Sequence, residues 1–193
     1  IKALFCEMGQ KPIYVTNYRT GINNGKTDDE LLEGLMQLLK CGATLTDIMG
    51  DFYAPDPIQL TTDAIAVEKQ KDAIKRVHDA GGEVLMSSHV MKFIDSDEVM
   101  RIATAHMERG ADISKIVTWA DNEEEELQNL RTIERLRKEL EIPFLFLCGG
   151  RYTKLVRTIG PFLGACMWLT VQHHDGLSTN QQPVCRAIRT IAD

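Results

Sequence analysis

EVLMSSH at residues 83–89 and ISKIVTW at residues 113–119 are the stretches on which the fold turns. Each is a short apolar run of strand character, and each carries a polar residue that a buried strand ordinarily lacks. His89 closes the first, and Lys115 sits in the middle of the second. The segment between them has room for one helix, which makes a strand–helix–strand unit. Working outward, four similar runs follow the same rhythm: PIYVTNYR (12–19), ATLTDIM (43–49), PFLFLCG (143–149) and CMWLTVQ (166–172). Stretches of helical period separate them. Residues 28–39 align Leu31, Leu32, Leu35, Met36 and Leu39; residues 61–80 align Ile65, Val67, Ile74 and Val77. Residues 123–140 align Leu127, Leu130, Ile133, Leu136 and Leu140 behind an acidic first turn, which suits the positive end of a helix dipole.

Six strand–helix units are countable, the last ending with residues 183–191. They fit either an open doubly wound sheet or most of an eightfold barrel. No glycine-rich phosphate fingerprint follows the first strand, which weakens the dinucleotide-binding version. A complete (β/α)8 TIM barrel usually needs about 250 residues, more than the 193 here. The expectation is therefore one barrel domain over residues 1–193, N-terminally incomplete, with the first one or two units absent; the opening residue is Ile1, not methionine.

Composition narrows the function. A net charge of −6 leaves no basic face for nucleic acid. No apolar run approaches the roughly 18 residues of a membrane span, and the N-terminus lacks the apolar core of a secretory signal. Cys6, Cys41, Cys148, Cys166 and Cys185 are scattered without a CxxC pair. They read as reduced thiols of a cytoplasmic protein, not as a disulfide framework or zinc site.

A barrel keeps its chemistry at the C-terminal ends of its strands. Lys115 alternates with Ile113 and Val117 on one face, and burying its ammonium forfeits hydration. That loss favours the neutral amine, the form that attacks a ketone or aldehyde. Taken alone, Lys115 also fits the rim of an exposed edge strand, and His89 a structural or capping role. Two adjacent parallel strands would instead bring amine and imidazole to one pocket.

Ser87-Ser88-His89, followed one helix later by Gly110-Ala111-Asp112-Ile113-Ser114-Lys115, resembles the type I 3-dehydroquinate dehydratases. These are the Schiff-base lyases of the shikimate pathway, which supplies aromatic amino acids. The family's pattern is Ser-x-His on one strand and Gly-Ala-Asp-(Ile/Val)-x-Lys on the next. Weaker likeness extends along the chain. Arg19 ends the run matching the family's third strand, whose arginine helps hold substrate. Arg157 falls where the family binds a carboxylate, with Gly164 at the familial distance. Ser178-Thr179-Asn180-Gln181-Gln182 stands where the family has Ser-Ala-Pro-Gly-Gln.

The resemblance implies an imine between Lys115 and 3-dehydroquinate, with His89 as general acid and base. It implies Arg19, Arg157, Ser178 and Gln182 as substrate contacts, a small carboxylate as substrate, and neither metal nor organic cofactor. A homodimer is one expectation for its assembly. There are departures. Asn23-Asn24-Gly25 replaces Glu-Gly-Gly, whose glutamate pairs with the histidine, so an amide would orient His89 instead. The fourth strand reads Thr46-Asp47-Ile48-Met49 where the family ends in an acid, and His173-His174-Asp175-Gly176 lengthens the loop before Ser178. Two other readings stand beside the dehydratase: a different Schiff-base enzyme, such as an aldolase acting on a sugar phosphate at Gly149-Gly150-Arg151, and a barrel with a binding role only.

The remaining polar features read more plainly. His173-His174-Asp175 is a polar loop, since adjacent side chains diverge. Asp47 and Asp51 read as solvated carboxylates or helix caps, and residues 123–126 as a solvated first turn. Cys148 has no visible basic partner.

Overall fold

The computed structural model describes residues 1–176 and 178–192. The elements run α1 (Lys2–Glu7), β1 (Tyr14–Val15), a 3-10 turn (Gly21–Asn23), α2 (Asp28–Lys40), β2 (Leu45–Met49), α3 (Ala64–Asp79), β3 (Glu83–His89), α4 (Ser96–Glu108), β4 (Ile113–Ala120), α5 (Glu123–Glu139), β5 (Phe144–Gly150), α6 (Thr153–Leu163) and α7 (Cys185–Ala192). The five strands form one sheet in sequence order, and the pairings of β1 with β2 and of β2 with β3 are parallel. This strand–helix alternation is the α/β architecture of a (β/α) barrel.

By their internal contacts the residues divide into two compact units. The first comprises residues 1–88 and 105–114. Its core gathers Leu31, Leu32 and Leu35 of α2, Ile48 and Met49 of β2, Ala73, Ile74 and Val77 of α3, and Val84 and Met86 of β3. α2 starts on a capping box: Thr27 accepts from the Glu30 amide, and the Glu30 carboxylate accepts from the Thr27 amide. Gly110 ends α4 at φ +98°, where a side chain would be strained. Asp112 then accepts the Val84 amide at 2.7 Å and so fastens the start of β4 to β3.

The second unit comprises residues 89–104 and 115–193. Ile116 and Val117 of β4, Ile133 and Leu136 of α5, Phe144 to Cys148 of β5 and Val156 of α6 are all buried in it. Asn122 caps α5 by accepting the Glu125 amide.

The structure corrects three expectations of the pattern. The run at 166–172 is not a sixth strand. Cys166 donates to Phe144 O, after which only Val171 bridges Val184, in isolation. Residues 167–171 stay partly exposed, so the run lacks the cover on both faces that a central parallel strand needs. The first strand shrinks to Tyr14–Val15, and just beyond it the Asn17 side chain bonds Leu31 O instead of leaving the backbone to a ladder. The inward faces of two helices are also more polar than expected. Ile65 is 72% exposed while Gln70 is buried, its amide bonded to Gly50 O, Phe52 O and Arg109. Leu127 is 51% exposed while Glu126, Asn129 and Thr132 turn inward.

Candidate active site

Lys115 and His89 lie in the same unit, on consecutive strands. β4 stands between β3 and β5, so Lys115 is not on an edge, and at 5% exposure it is not on a solvated rim. His89 is half-buried at the end of β3. The strands stay together beyond it: the Val90 amide donates to Val117 O at 2.7 Å, and Thr118 Oγ1 donates to Lys92 O at 3.2 Å.

The preceding residue on each strand shows which way these side chains face. Ser88 and Ser114 both hydrogen-bond His106 of α4, at 3.1 and 3.0 Å. Alternation along a strand then sends His89 and Lys115 to the opposite face of the sheet, away from α4.

On α6, Arg157 is buried at 7% exposure. Its Nε donates to Cys148 O and Thr153 Oγ1, both at 3.0 Å. Its terminal nitrogens have no acceptor among the described residues, and it makes no ion pair there. Burial accordingly pushes its pKa below the usual arginine value. Glu126 is also buried, which corrects the reading of a solvated first turn. Both of its carboxylate oxygens and Asn129 Oδ1 lack a hydrogen-bond partner among the described residues. Desolvation raises the Glu126 pKa, and desolvation with the Glu126 charge pushes the Cys148 thiol up to about 12. Cys148 is therefore a poor nucleophile.

Gly149 and Gly150 have a packing reason. A Cβ on either would come within 2.8 Å of the Trp119 ring or the Ala120 carbonyl. Ser178 and Gln182 share a cleft of about 300 Å³ with Val171, Gln172, His173 and Asp175. Ser178 is held in a turn by Asp175, which accepts its amide at 2.9 Å. His174 bonds Gln182 O, and no cluster of three metal-ligating side chains occurs among the described residues.

In the other unit Arg19 is gripped by two acids. Nε and Nη2 grip Asp28 at 2.7 Å each, Nη1 binds Asp51 Oδ1 and Nη2 also binds Asp51 O, both at 2.9 Å. Burial opposes its charge, but the Asp28 and Asp51 interactions outweigh that and raise its pKa. Asp47 and Asp51 are buried, not solvated. Asp47 receives hydroxyls from Tyr14, Tyr18 and Ser87. Burial, with the Asp47 charge second, drives both tyrosine pKa values upward. The sequence held a signal for this cluster: an acid inside an apolar strand, and two tyrosines four residues apart along an extended run.

A family model described as type I 3-dehydroquinase matches residues 4–191. The chain belongs to the type I 3-dehydroquinase family. Solved structures of similar fold include the 3-dehydroquinate dehydratase of Geobacillus kaustophilus, with TM-score 0.81 and 19% identity over 98% of this chain and 70% of that one. The type I 3-dehydroquinate dehydratase of Clostridium difficile, solved with covalently modified comenic acid, gives 0.75 and 16% over 98% and 72%. The Enterococcus faecalis 3-dehydroquinate dehydratase gives 0.71 and 20% over 97% and 70%. No curated protein sequence matches.

Asn23 stands where the resemblance expects the family's glutamate. Its Nδ2 donates to Asn17 Oδ1 and Tyr18 O, and its Oδ1 accepts from Lys26. The amide is committed to its own loop. No helix among the described residues is long and apolar enough to cross a membrane.

Proposed function

We propose that this chain dehydrates 3-dehydroquinate to 3-dehydroshikimate through an imine on Lys115. The observation that carries the reading is a lysine only 5% exposed in a central strand, on the same sheet face as the histidine that ends the neighbouring strand. The Lys115 amine adds to the ring ketone and loses water, giving a protonated imine that draws electrons from the adjacent carbon. His89 takes the proton from that carbon, leaving an enamine. The enamine electrons return to expel the neighbouring hydroxyl, which leaves as water with the proton that His89 holds. Hydrolysis of the imine frees the product and regenerates the amine, so the net loss is one water.

Arg157 supports the choice of a carboxylate substrate. A buried cation without an acidic partner is costly, and an entering carboxylate would offset that cost through two charge-assisted hydrogen bonds. Ser178 and Gln182 offer a hydroxyl and an amide to the substrate's hydroxyl groups. Arg19 spends four of its five N–H donors on Asp28 and Asp51, which leaves one Nη1 N–H for a ligand and makes tying those two acids together its larger task.

Borohydride reduction with 3-dehydroquinate, followed by peptide mass spectrometry, tests the reading. It should leave the reduced adduct on Lys115. An adduct on Lys154 or another surface lysine, or none at all, would end the assignment.

A further inference from the structure

His106 is buried completely on α4, yet both ring nitrogens are satisfied. Nε2 lies 3.1 Å from Ser88 Oγ, and Nδ1 lies 3.0 Å from Ser114 Oγ. The direction of the chain of hydrogen bonds follows from its far end. Ser88 Oγ donates to Gln59 O at 2.6 Å, which uses its only proton. It must therefore accept from His106 Nε2–H. Nδ1 is then the unprotonated nitrogen and accepts from Ser114 O–H. The arrangement demands one tautomer of a neutral imidazole. Burial, with the Arg109 guanidinium second, keeps the ring neutral by holding its pKa down to about 3.

Two details show how tightly the arrangement is set. Gln59, whose carbonyl ends the chain, sits at φ +51°, a conformation that residues with side chains seldom adopt. Gly50 closes over the group: a Cβ there would lie 2.5 Å from Gln59 O, 3.0 Å from His106 Nε2 and 3.1 Å from Ser88 Oγ. There is no slack for the ring to move.

Ser88 and Ser114 are the residues immediately before His89 and Lys115. We propose that His106 is a positioning residue, a clamp behind the sheet that fixes β3 against β4 and thereby fixes the separation of the His89 imidazole from the Lys115 amine. The proposal rests on the roles given to His89 and Lys115 above. His106 itself touches no substrate. Its contribution is to keep two reacting groups in register, where a displacement of about 1 Å can cost on the order of 100-fold in rate.

The test compares His106→Met, His106→Gln and Ser114→Ala with the unaltered chain. Met fills similar volume without polar atoms, Gln restores a donor and an acceptor, and Ser114→Ala removes one arm without opening a large cavity. With 3-dehydroquinate, His106→Met should lose about tenfold or more in kcat while KM moves less than about threefold. Ser114→Ala should lose less, and His106→Gln should recover most of the rate. Amide hydrogen exchange at Val90 should quicken in His106→Met. Equal kcat for folded His106→Met and the unaltered chain overturns the proposal, as does a failure of Gln to recover more than Met. If the unaltered chain neither turns over nor traps with borohydride, the dehydratase reading falls. Exchange then decides the clamp by itself: unchanged protection at Val90 overturns it, and faster exchange supports it.

Discussion

Arg19 and Arg157 are the same residue type in opposite circumstances. Arg19 is more exposed, yet every guanidinium nitrogen is engaged by Asp28 and Asp51. Arg157 is nearly buried, yet among the described residues only its Nε is bonded and no acid pairs with it. A cation closed by two carboxylates holds loops together. A buried cation left open stores a cost that an incoming anion can relieve. Position along the chain does not separate the two, since both fall where the family resemblance puts substrate-binding arginines. Their partners do.

The largest effect that would sharpen this contrast lies at the amine. Lys115→Ala should reduce turnover of 3-dehydroquinate to below about 10⁻³ of the starting rate and remove borohydride trapping, as loss of a covalent nucleophile does. A residual rate well above that level would mean that neither arginine serves the proposed chemistry.

The arginines themselves come next. Arg157→Ala should raise KM about 10- to 100-fold, in line with roughly 1.5–3 kcal/mol for a hydrogen bond to a charged group. Its thermal stability should hold or rise, because an uncompensated buried charge is removed. Arg19→Ala should do the reverse, costing about 3 kcal/mol by stranding Asp28 and the buried Asp51, with little change in KM. The contrast breaks if Arg19→Ala raises KM while Arg157→Ala only lowers the melting temperature.

Two smaller effects follow from pH. Glu126 has a folded-state pKa raised by desolvation. Stability from its protonated form is present below the unfolded pKa and fades as pH rises through the folded one. Glu126→Gln should therefore gain about 1–3 kcal/mol toward neutral and alkaline pH, the typical cost of a buried unsatisfied polar group. Urea unfolding at pH 4 and pH 8 measures it; equal curves for the two chains would refute it. His106 has the opposite sign. The unfolded chain takes up its proton near pH 6.5 and the folded chain only near 3. Stability should therefore decline on acidification between those values, with His106 contributing a slope of up to about 1.4 kcal/mol per pH unit. His106→Gln should lose that slope.

Much of the strand–helix alternation was legible because apolar runs and helical periods are written in single residues. The same periodicity put Lys115 and His89 on consecutive strands but left open whether Lys115 lay on an exposed edge. What stayed hidden depends on partners distant in sequence. Gln70 faces inward because two carbonyls and Arg109 saturate its amide, and no local pattern announces that. Glu126 looked like one of four equivalent acids, yet the helix phase set by Ile133 and Leu136 turns it into the core. The apolar run at 166–172 has the composition of a strand, but strand formation needs a neighbour along its whole length, and it finds partners only near its two ends, at Cys166 and Val171. His106 gives no signal in the sequence because its partners, Ser88 and Ser114, are polar residues inside strands, where apolar patterning carries no information.

All five cysteines are free, and they differ sharply in reach: Cys6, Cys166 and Cys185 are exposed, Cys41 is partly so, and Cys148 is sealed beneath α5 and α6. A thiol reagent added to the native chain should thus modify four sites early and leave one behind. The delay before the fifth yields times how often the layer over β5 opens, a clock for local breathing that needs no introduced probe.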